Sequence, residues 1–368
     1  MFLIAEQQSR IKRVHSVWEF GLLLFGTTYS GRVKESYFKF SCVRRITGVM
    51  SAASPAPPVV SKTDVERRAE ILRKALKGLG TKEADIIDVL TTSWTAKRQA
   101  IAAAYRAAYK TDLLEDIKSD TSGDFRKVLK ALSQAPEVND AKTLHHAVKG
   151  LGTDEDTILE ILCTRTNEEL NKTSNAYFSM FRATLISDIK KDTSGEFLEV
   201  LLALLSGIRD ESERTDPIQA KSDAEALIKA GPKKWGTDVK TFTDIFATRN
   251  FAQLRETFQE FEKLHGTDIQ TAVKNEMSGD LAKSFLVLVQ LVQSKEEYFA
   301  ERLHKAVKGL GTADDNLIRI LVSRKEKDLL AIATAFEKVH KKSLAAVIAD
   351  ETSSNYKDAL LAILQNAV

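Results

Sequence analysis

Over residues 64–368 the apolar positions recur at spacings of three and four, the mark of helices that bury one face, and no stretch alternates with the period of two expected of a half-buried strand. The pattern also repeats itself. Counted from Gly80, Gly152, Gly236 and Gly311, the positions six, nine and ten residues on are apolar in every copy: Ile86, Val89 and Leu90; Ile158, Ile161 and Leu162; Phe242, Ile245 and Phe246; Leu317, Ile320 and Leu321. The anchors stand 72, 84 and 75 residues apart. That period exceeds the roughly 33 to 47 residues of the common two-helix solenoid repeats, so each unit must hold more helices. Periodicity and breakers predict five, which in the second copy fall near 137–149, 154–165, 167–182, 184–191 and 195–206.

The fold class expected is therefore all-α, with four homologous five-helix repeats after a non-homologous N-terminal segment. The boundaries expected are an N-terminal segment at 1–63, repeats at 64–135 and 136–207, a connector at 208–219, and repeats at 220–294 and 295–368. The connector is charged and carries Pro217, so it reads as the link between two halves within which the units pair.

Each anchor glycine closes a short motif. Gly-Leu-Gly-Thr occurs at 78–81, 150–153 and 309–312, and the variant Lys-Trp-Gly-Thr at 234–237. Forty residues after each anchor stands an acid: Asp120, Asp192, Glu276 and Glu351. Three residues later come Gly123, Gly195 and Gly279, but Ser354 in the last copy, which predicts a differently shaped second loop there. Thirteen residues after the anchor, Arg165, Arg249 and Arg324 complement a helix C-terminus, whereas the first copy has Ser93.

A helix ending at Gly-x-Gly exposes its last carbonyls, because the final turn has no following amides to satisfy them. Calcium takes six to eight hard oxygen ligands, and a carboxylate from the second loop of the same unit can complete such a cage. One carboxylate against two positive charges leaves the site near +1, so it should attract a further anion, such as a lipid phosphate or headgroup carboxylate. Lys77, Lys149, Lys233 and Lys308 lie beside the loops and would add attraction to an acidic surface. Leu79, Leu151, Trp235 and Leu310 would touch its interfacial layer. Thr81, Thr153, Thr237 and Thr312 are also candidate N-caps of the helices that follow.

These features together resemble the annexin family: Lys-Gly-Leu-Gly-Thr loops, a carboxylate forty residues on, and Thr-Ser-Gly-Asp/Glu after it, in four copies. The resemblance covers about residues 64–368. It implies a curved disc of four five-helix units that binds acidic phospholipid membranes reversibly through calcium, without catalysis. Carried over residue by residue, it implies metal ligands at the carbonyls of Leu76, Gly78 and Gly80 with Asp120, and of Val148, Gly150 and Gly152 with Asp192. In the third copy they would be Gly231, Lys234 and Gly236 with Glu276, where the loop departs as Gly-Pro-Lys-Lys-Trp-Gly. In the fourth they would be Val307, Gly309 and Gly311 with Glu351.

Composition narrows the alternatives. The 368 residues are 43% hydrophobic and 29% charged, enough apolar surface for a folded core. A net charge of +3 is far from that of a dedicated nucleic-acid binder, so no specific nucleic-acid partner is expected. Cys42 and Cys163 have neither disulfide-framework nor zinc spacing, which fits a cytosolic protein recruited to membranes by calcium. The longest nearly apolar run, Phe285 to Val292, is too short to span a bilayer. Dinucleotide, P-loop and EF-hand signatures are missing, and His145 and His146 lack a catalytic partner, so an enzyme is not expected. The competing reading is a helical adaptor that binds protein partners independently of calcium.

The first fifty residues stand apart. Eight basic residues against three acids give +5 there and −2 in the remainder. Glu6 and Glu19 argue against a secretory leader. A basic arm, which could hold a protein partner, a targeting presequence, or sequence upstream of a start at Met50 are the open readings.

Overall fold

A computed structural model describes residues 61–77, 80–149, 152–231, 238–308 and 313–368. Among them are twenty helices and no strand. They fall into four successive groups of five. The first holds α1 (Lys62–Lys77), α2 (Glu83–Thr91), α3 (Thr95–Tyr109), α4 (Leu113–Asp120) and α5 (Gly123–Ser133). The second holds α6 (Pro136–Lys149), α7 (Glu155–Thr164), α8 (Asn167–Phe181), α9 (Leu185–Asp192) and α10 (Gly195–Leu205). The third holds α11 (Pro217–Ala230), α12 (Val239–Thr248), α13 (Phe251–His265), α14 (Ile269–Glu276) and α15 (Gly279–Gln293). The fourth holds α16 (Lys295–Val307), α17 (Asp314–Arg324), α18 (Leu329–His340), α19 (Leu344–Glu351) and α20 (Ser354–Gln365).

The expected apolar positions form the core: Ile86, Ile158, Phe242 and Leu317 are buried at the equivalent place of each unit, with their companions nine and ten residues past the anchor. Within every unit the first helix packs along the third. The turn into the fourth helix is set locally. A left-handed residue ends the third helix, Lys110, Arg182, Gly266 or Lys341, and Asp112, Thr184, Asp268 or Ser343 then caps the fourth by accepting from its backbone N–H.

The pairing of units corrects one expectation. Helices α2 and α5 of the first unit pack against α17 and α20 of the fourth, while α7 and α10 of the second pack against α12 and α15 of the third. The long connector therefore joins two units that bury each other, rather than two separate halves. It is pinned there. Asp210 accepts from Asn250 at 2.8 Å, and its N–H donates to the Thr248 carbonyl at 2.8 Å.

The arginines near the second-helix ends also differ from expectation. They form side-chain pairs with the first helix instead of serving only as charge at a helix end. Arg165 grips Asp140 through two bonds of 2.6 and 2.8 Å, and Arg249 grips Asp223 through 2.7 and 3.0 Å. In the fourth unit the partner place holds Phe299, over whose ring Arg324 lies at 4.7 Å while it bonds Asp328. In the first unit the polarity is reversed, and Arg68 on α1 reaches the Thr92 hydroxyl at 2.9 Å, beside Ser93. Ser93 is thus one half of an exchanged pair.

Across units two and four, Glu160 is completely buried and receives Arg319 at 2.9 Å and Arg302 at 3.2 Å. Burial alone would raise its carboxyl, but the two guanidiniums hold it below the ordinary glutamate value. Arg98 and Glu326 tie units one and four at 2.8 Å. Glu160→Gln is expected to cost about 3 kcal/mol at neutral pH, because Arg319 loses its carboxylate partner in a largely buried place and Arg302 is left with Asp156 alone. A carboxyl depressed in the folded state stabilises above its unfolded value of about 4.3 and ceases to do so as pH falls through the folded value. The difference in urea midpoint between wild type and Glu160→Gln should therefore shrink below about pH 4; a difference constant down to pH 3 would contradict this.

Candidate functional site

Each unit has, in the last turn of its first helix, a buried alanine whose carbonyl takes the N–H of the residue that re-enters the second helix. The pairs are Ala75 with Lys82 at 3.0 Å, Ala147 with Asp154 at 3.0 Å, Ala230 with Asp238 at 2.9 Å and Ala306 with Ala313 at 2.7 Å. This bond closes the first loop. Unit three spans one more residue between its closing partners than the others, so its loop Gly-Pro-Lys-Lys-Trp-Gly carries one extra residue inside the same closure. Counted from Ala230, Pro232 stands where the other units have Lys77, Lys149 and Lys308, and Lys233 is one place later.

Leu76, Val148 and Val307 bury their side chains just before the loop, and Gly231 occupies that place in unit three. A side chain at Gly231 would approach the Leu227 carbonyl to 3.1 Å, a tight contact that a residue with a Cβ would have to relieve by a small shift. Gly80 and Gly152 are exposed with φ of 82° and 86°, the left-handed turn that carries the chain out of the loop. Lys77, Lys149 and Lys308 are exposed at its entrance. Gly78, Leu79, Gly150, Leu151, Lys233, Lys234, Trp235, Gly236, Gly309, Leu310 and Gly311 lie outside the described residues, as do Thr237 and Thr312.

All four acids close their unit's fourth helix: Asp120, Asp192, Glu276 and Glu351 are the last residues of α4, α9, α14 and α19. The fourth helix packs against the first in units one, two and four. In units one and two a threonine bridges the two loops. The Thr153 hydroxyl donates to Asp192 Oδ2 at 2.8 Å, and the Thr81 hydroxyl donates to the Asp120 carbonyl at 3.2 Å. These threonines are not the N-caps expected of them. The caps are Lys82 and Asp154, and the Asp154 carboxylate accepts from the Thr157 N–H.

The second loops are alike in backbone. Thr121, Thr193, Met277 and Thr352 share φ between −130° and −128°, and the next serine in each is extended. Gly123, Gly195 and Gly279 follow with φ of 58°, 62° and 58°, and Ser354 adopts 52°. The fourth loop therefore keeps the common form, contrary to the expectation from its serine. The deviation is energetic, since a left-handed residue with a Cβ costs ~1 kcal/mol or more. Ser354→Gly should raise stability by about 1 kcal/mol, and an unchanged or lower thermal midpoint would contradict that assignment.

A second acid was missed by sequence reasoning. Asp116 and Asp188, four residues before the helix-ending acids, are buried beneath them. Asp116 accepts from Tyr105 at 2.6 Å and Arg73 at 2.9 Å, and Asp188 from Tyr177 at 2.8 Å and Lys149 at 3.0 Å. Burial and the Asp116 carboxylate push the Tyr105 hydroxyl up to about 12. Burial alone would raise Asp188, but the Tyr177 hydroxyl, Lys149 and Lys191 hold it below the ordinary value. The signal was available in register: tyrosine 25 and aspartate 36 residues past the anchor occur in the first two copies, where the last two have Phe261 with Ala272 and Phe336 with Val347.

The oxygens described at this end of units one and two are the carboxylates of Asp120 and Asp192, the Thr81 and Thr153 hydroxyls and the Asp120 carbonyl, of the hard type that suits calcium, with the Lys77 and Lys149 ammoniums beside them. Among the described residues no group of three or more histidine, cysteine or acidic side chains could hold a metal by side chains alone. Any cation would thus depend on backbone oxygens together with one acid.

The class of protein is then an all-helical repeat protein of four five-helix units, in the first two of which the acidic end of the fourth helix meets the loop after the first. The Annexin family model matches residues 67–132, 139–204, 222–288 and 298–363, and the chain belongs to the annexin family. It is 44% identical to human annexin A13 over 301 residues, 82% of this chain and 95% of that protein. The solved structure of annexin III superposes with a TM-score of 0.80 at 42% identity, covering 83% of this chain and 94% of that one. A calcium-bound structure of annexin (Sm)1 superposes with a TM-score of 0.76 at 32% identity, covering 82% and 90%.

Proposed function

We propose that this protein docks peripherally and reversibly on acidic phospholipid membranes in the presence of calcium, and so links or organises them, without turnover. The observation that carries the reading is the Thr153 to Asp192 contact, which sets an exposed carboxylate against the first loop across 39 residues of chain. The proposed ligands are the carbonyls of Leu76, Gly78 and Gly80 with Asp120, of Val148, Gly150 and Gly152 with Asp192, of Gly231, Lys234 and Gly236 with Glu276, and of Val307, Gly309 and Gly311 with Glu351. Calcium, when bound, supplies positive charge in excess of the single carboxylate and open positions for headgroup oxygens.

The chain's own residues do the rest. The alanine closures hold the first-helix carbonyls in place, and the left-handed residues of the second loops hold the acid at its helix end. The exposed Lys77, Lys149 and Lys308 add attraction for an acidic surface, worth about 1 kcal/mol each near the membrane. Lys233, Leu79, Leu151, Trp235 and Leu310 belong to the same proposed face by their place in the loops. Among the described residues no helix is long and apolar enough to cross a bilayer, in keeping with surface attachment. Metal and lipid binding are then linked, each strengthening the other by the same factor.

The test is co-sedimentation with phosphatidylserine vesicles in calcium and in EGTA. Binding in calcium that EGTA abolishes is expected; binding that ignores the chelator would favour the adaptor reading. Asp192→Ala should weaken calcium binding at its own loop at least roughly tenfold, the loss of one charge-assisted ligand of ~1.5 kcal/mol. The variant should therefore sediment only at higher calcium, and an unchanged requirement would remove Asp192 from the site.

A further inference from the structure

Units one and two share the loop, the tyrosine and both acids, yet their entrance lysines are placed differently. The Lys77 ammonium donates to Asp120 Oδ2 at 2.9 Å and to the Ser119 hydroxyl at 3.0 Å, and lies 3.4 Å from Asp116. Lys149, one repeat later, donates to Asp188 at 3.0 Å, and the Asp192 carboxylate accepts from the Thr153 hydroxyl.

Two substitutions between the units account for the difference. On the first helix, Arg73 takes Asp116 Oδ2 at 2.9 Å and stacks at 5.2 Å on Tyr109. This leaves Lys77 to reach outward to Asp120. The equivalent His145 stacks instead on Phe181 at 3.7 Å, which leaves Asp188 to Lys149. Beside the terminal acid, Ser119 offers an oxygen to Lys77 and also donates to Asp120 at 3.0 Å. The equivalent residue is Lys191, which has no oxygen to offer an ammonium beside Asp192 and itself donates to Asp188 Oδ1 at 3.3 Å, the oxygen that Lys149 also takes.

We infer that Lys77 is an internal counter-cation for Asp120, holding that carboxylate in the calcium-free protein so that the first unit's site loads only after the second's. The inference rests on the proposed calcium reading and adds an order of filling to it. An ion arriving at unit one must displace an ammonium that makes two hydrogen bonds, whereas at unit two it displaces one neutral hydroxyl. The ammonium thus released lies beside the proposed membrane-facing loop and becomes available to an anionic headgroup. Removing the charge from Lys77, as acylation of its amine would, frees Asp120.

Crystals of the full chain soaked at graded calcium, with anomalous density read loop by loop, test the order directly. The second unit's loop should fill at about two- to fivefold lower calcium than the first, the equivalent of one part-exposed ion pair. Lys77→Gln should close that gap, and Lys149→Gln should leave the first loop's requirement unchanged, which separates the ion pair from a general loss of positive charge. In solution, calorimetric titration of Lys77→Gln in an Asp192→Ala background, without lipid, should show tighter calcium binding than Asp192→Ala alone. Equal filling of both loops in the wild type, or a gap that Lys77→Gln does not change, would overturn the inference. Calcium in none of the four loops would overturn the proposed function itself.

Discussion

Everything at the candidate site depends on one backbone hydrogen bond per unit, the one from the residue that starts the second helix back to a buried alanine near the end of the first. The alanine is fixed by the core, so the loop between the two helices leaves and returns at set points whatever its sequence. That is why Gly-Pro-Lys-Lys-Trp-Gly in unit three can carry an extra residue and still close between Ala230 and Asp238. The same closure leaves the last carbonyls of the first helix without helical partners, which is the chemical opportunity the acids can exploit.

The four units are built on one plan, but their polar interiors are not copies. The pairing of a first-helix residue with a residue at the second-helix end is met by Arg68 and Ser93, by Asp140 and Arg165, by Asp223 and Arg249, and by Phe299 and Arg324. Position matters more than the residue type that fills it. The acid beneath the site divides the units differently: Asp116 and Asp188 serve the first two, and apolar Ala272 and Val347 the last two. The first two sites therefore carry a buried carboxylate that steers a lysine, and the last two have no such acid at that place.

Much of the fold was legible because helical periodicity reports burial directly, and four copies give the same report. Five helices per unit follow from spacing alone, and the second unit's expected limits agree with α6 to α10 to within about two residues. Pairing of units was not legible, since the surfaces of α2, α5, α17 and α20 are apolar toward one another but no local signal states which unit meets which. The long connector suggested a division, yet it only bridges two packed neighbours. Backbone dihedrals were partly hidden too: Ser354 reads as a departure from glycine, but its neighbours impose the same left-handed turn. Thr81 and Thr153 carried an ambiguous signal, because a threonine before a helix suits a cap as well as a bridge, and only the approach of the fourth helix decides between them.

The order in which partners are packed differs from the order in which they are made. During synthesis the N-terminal unit leaves the ribosome first, while the unit that covers α2 and α5 leaves last, so these faces stay uncovered through most of translation. The middle units meet their partners as immediate neighbours and can close at once. A truncation that removes the final unit therefore strips the first of its cover as well, and injures the molecule at both ends of the chain.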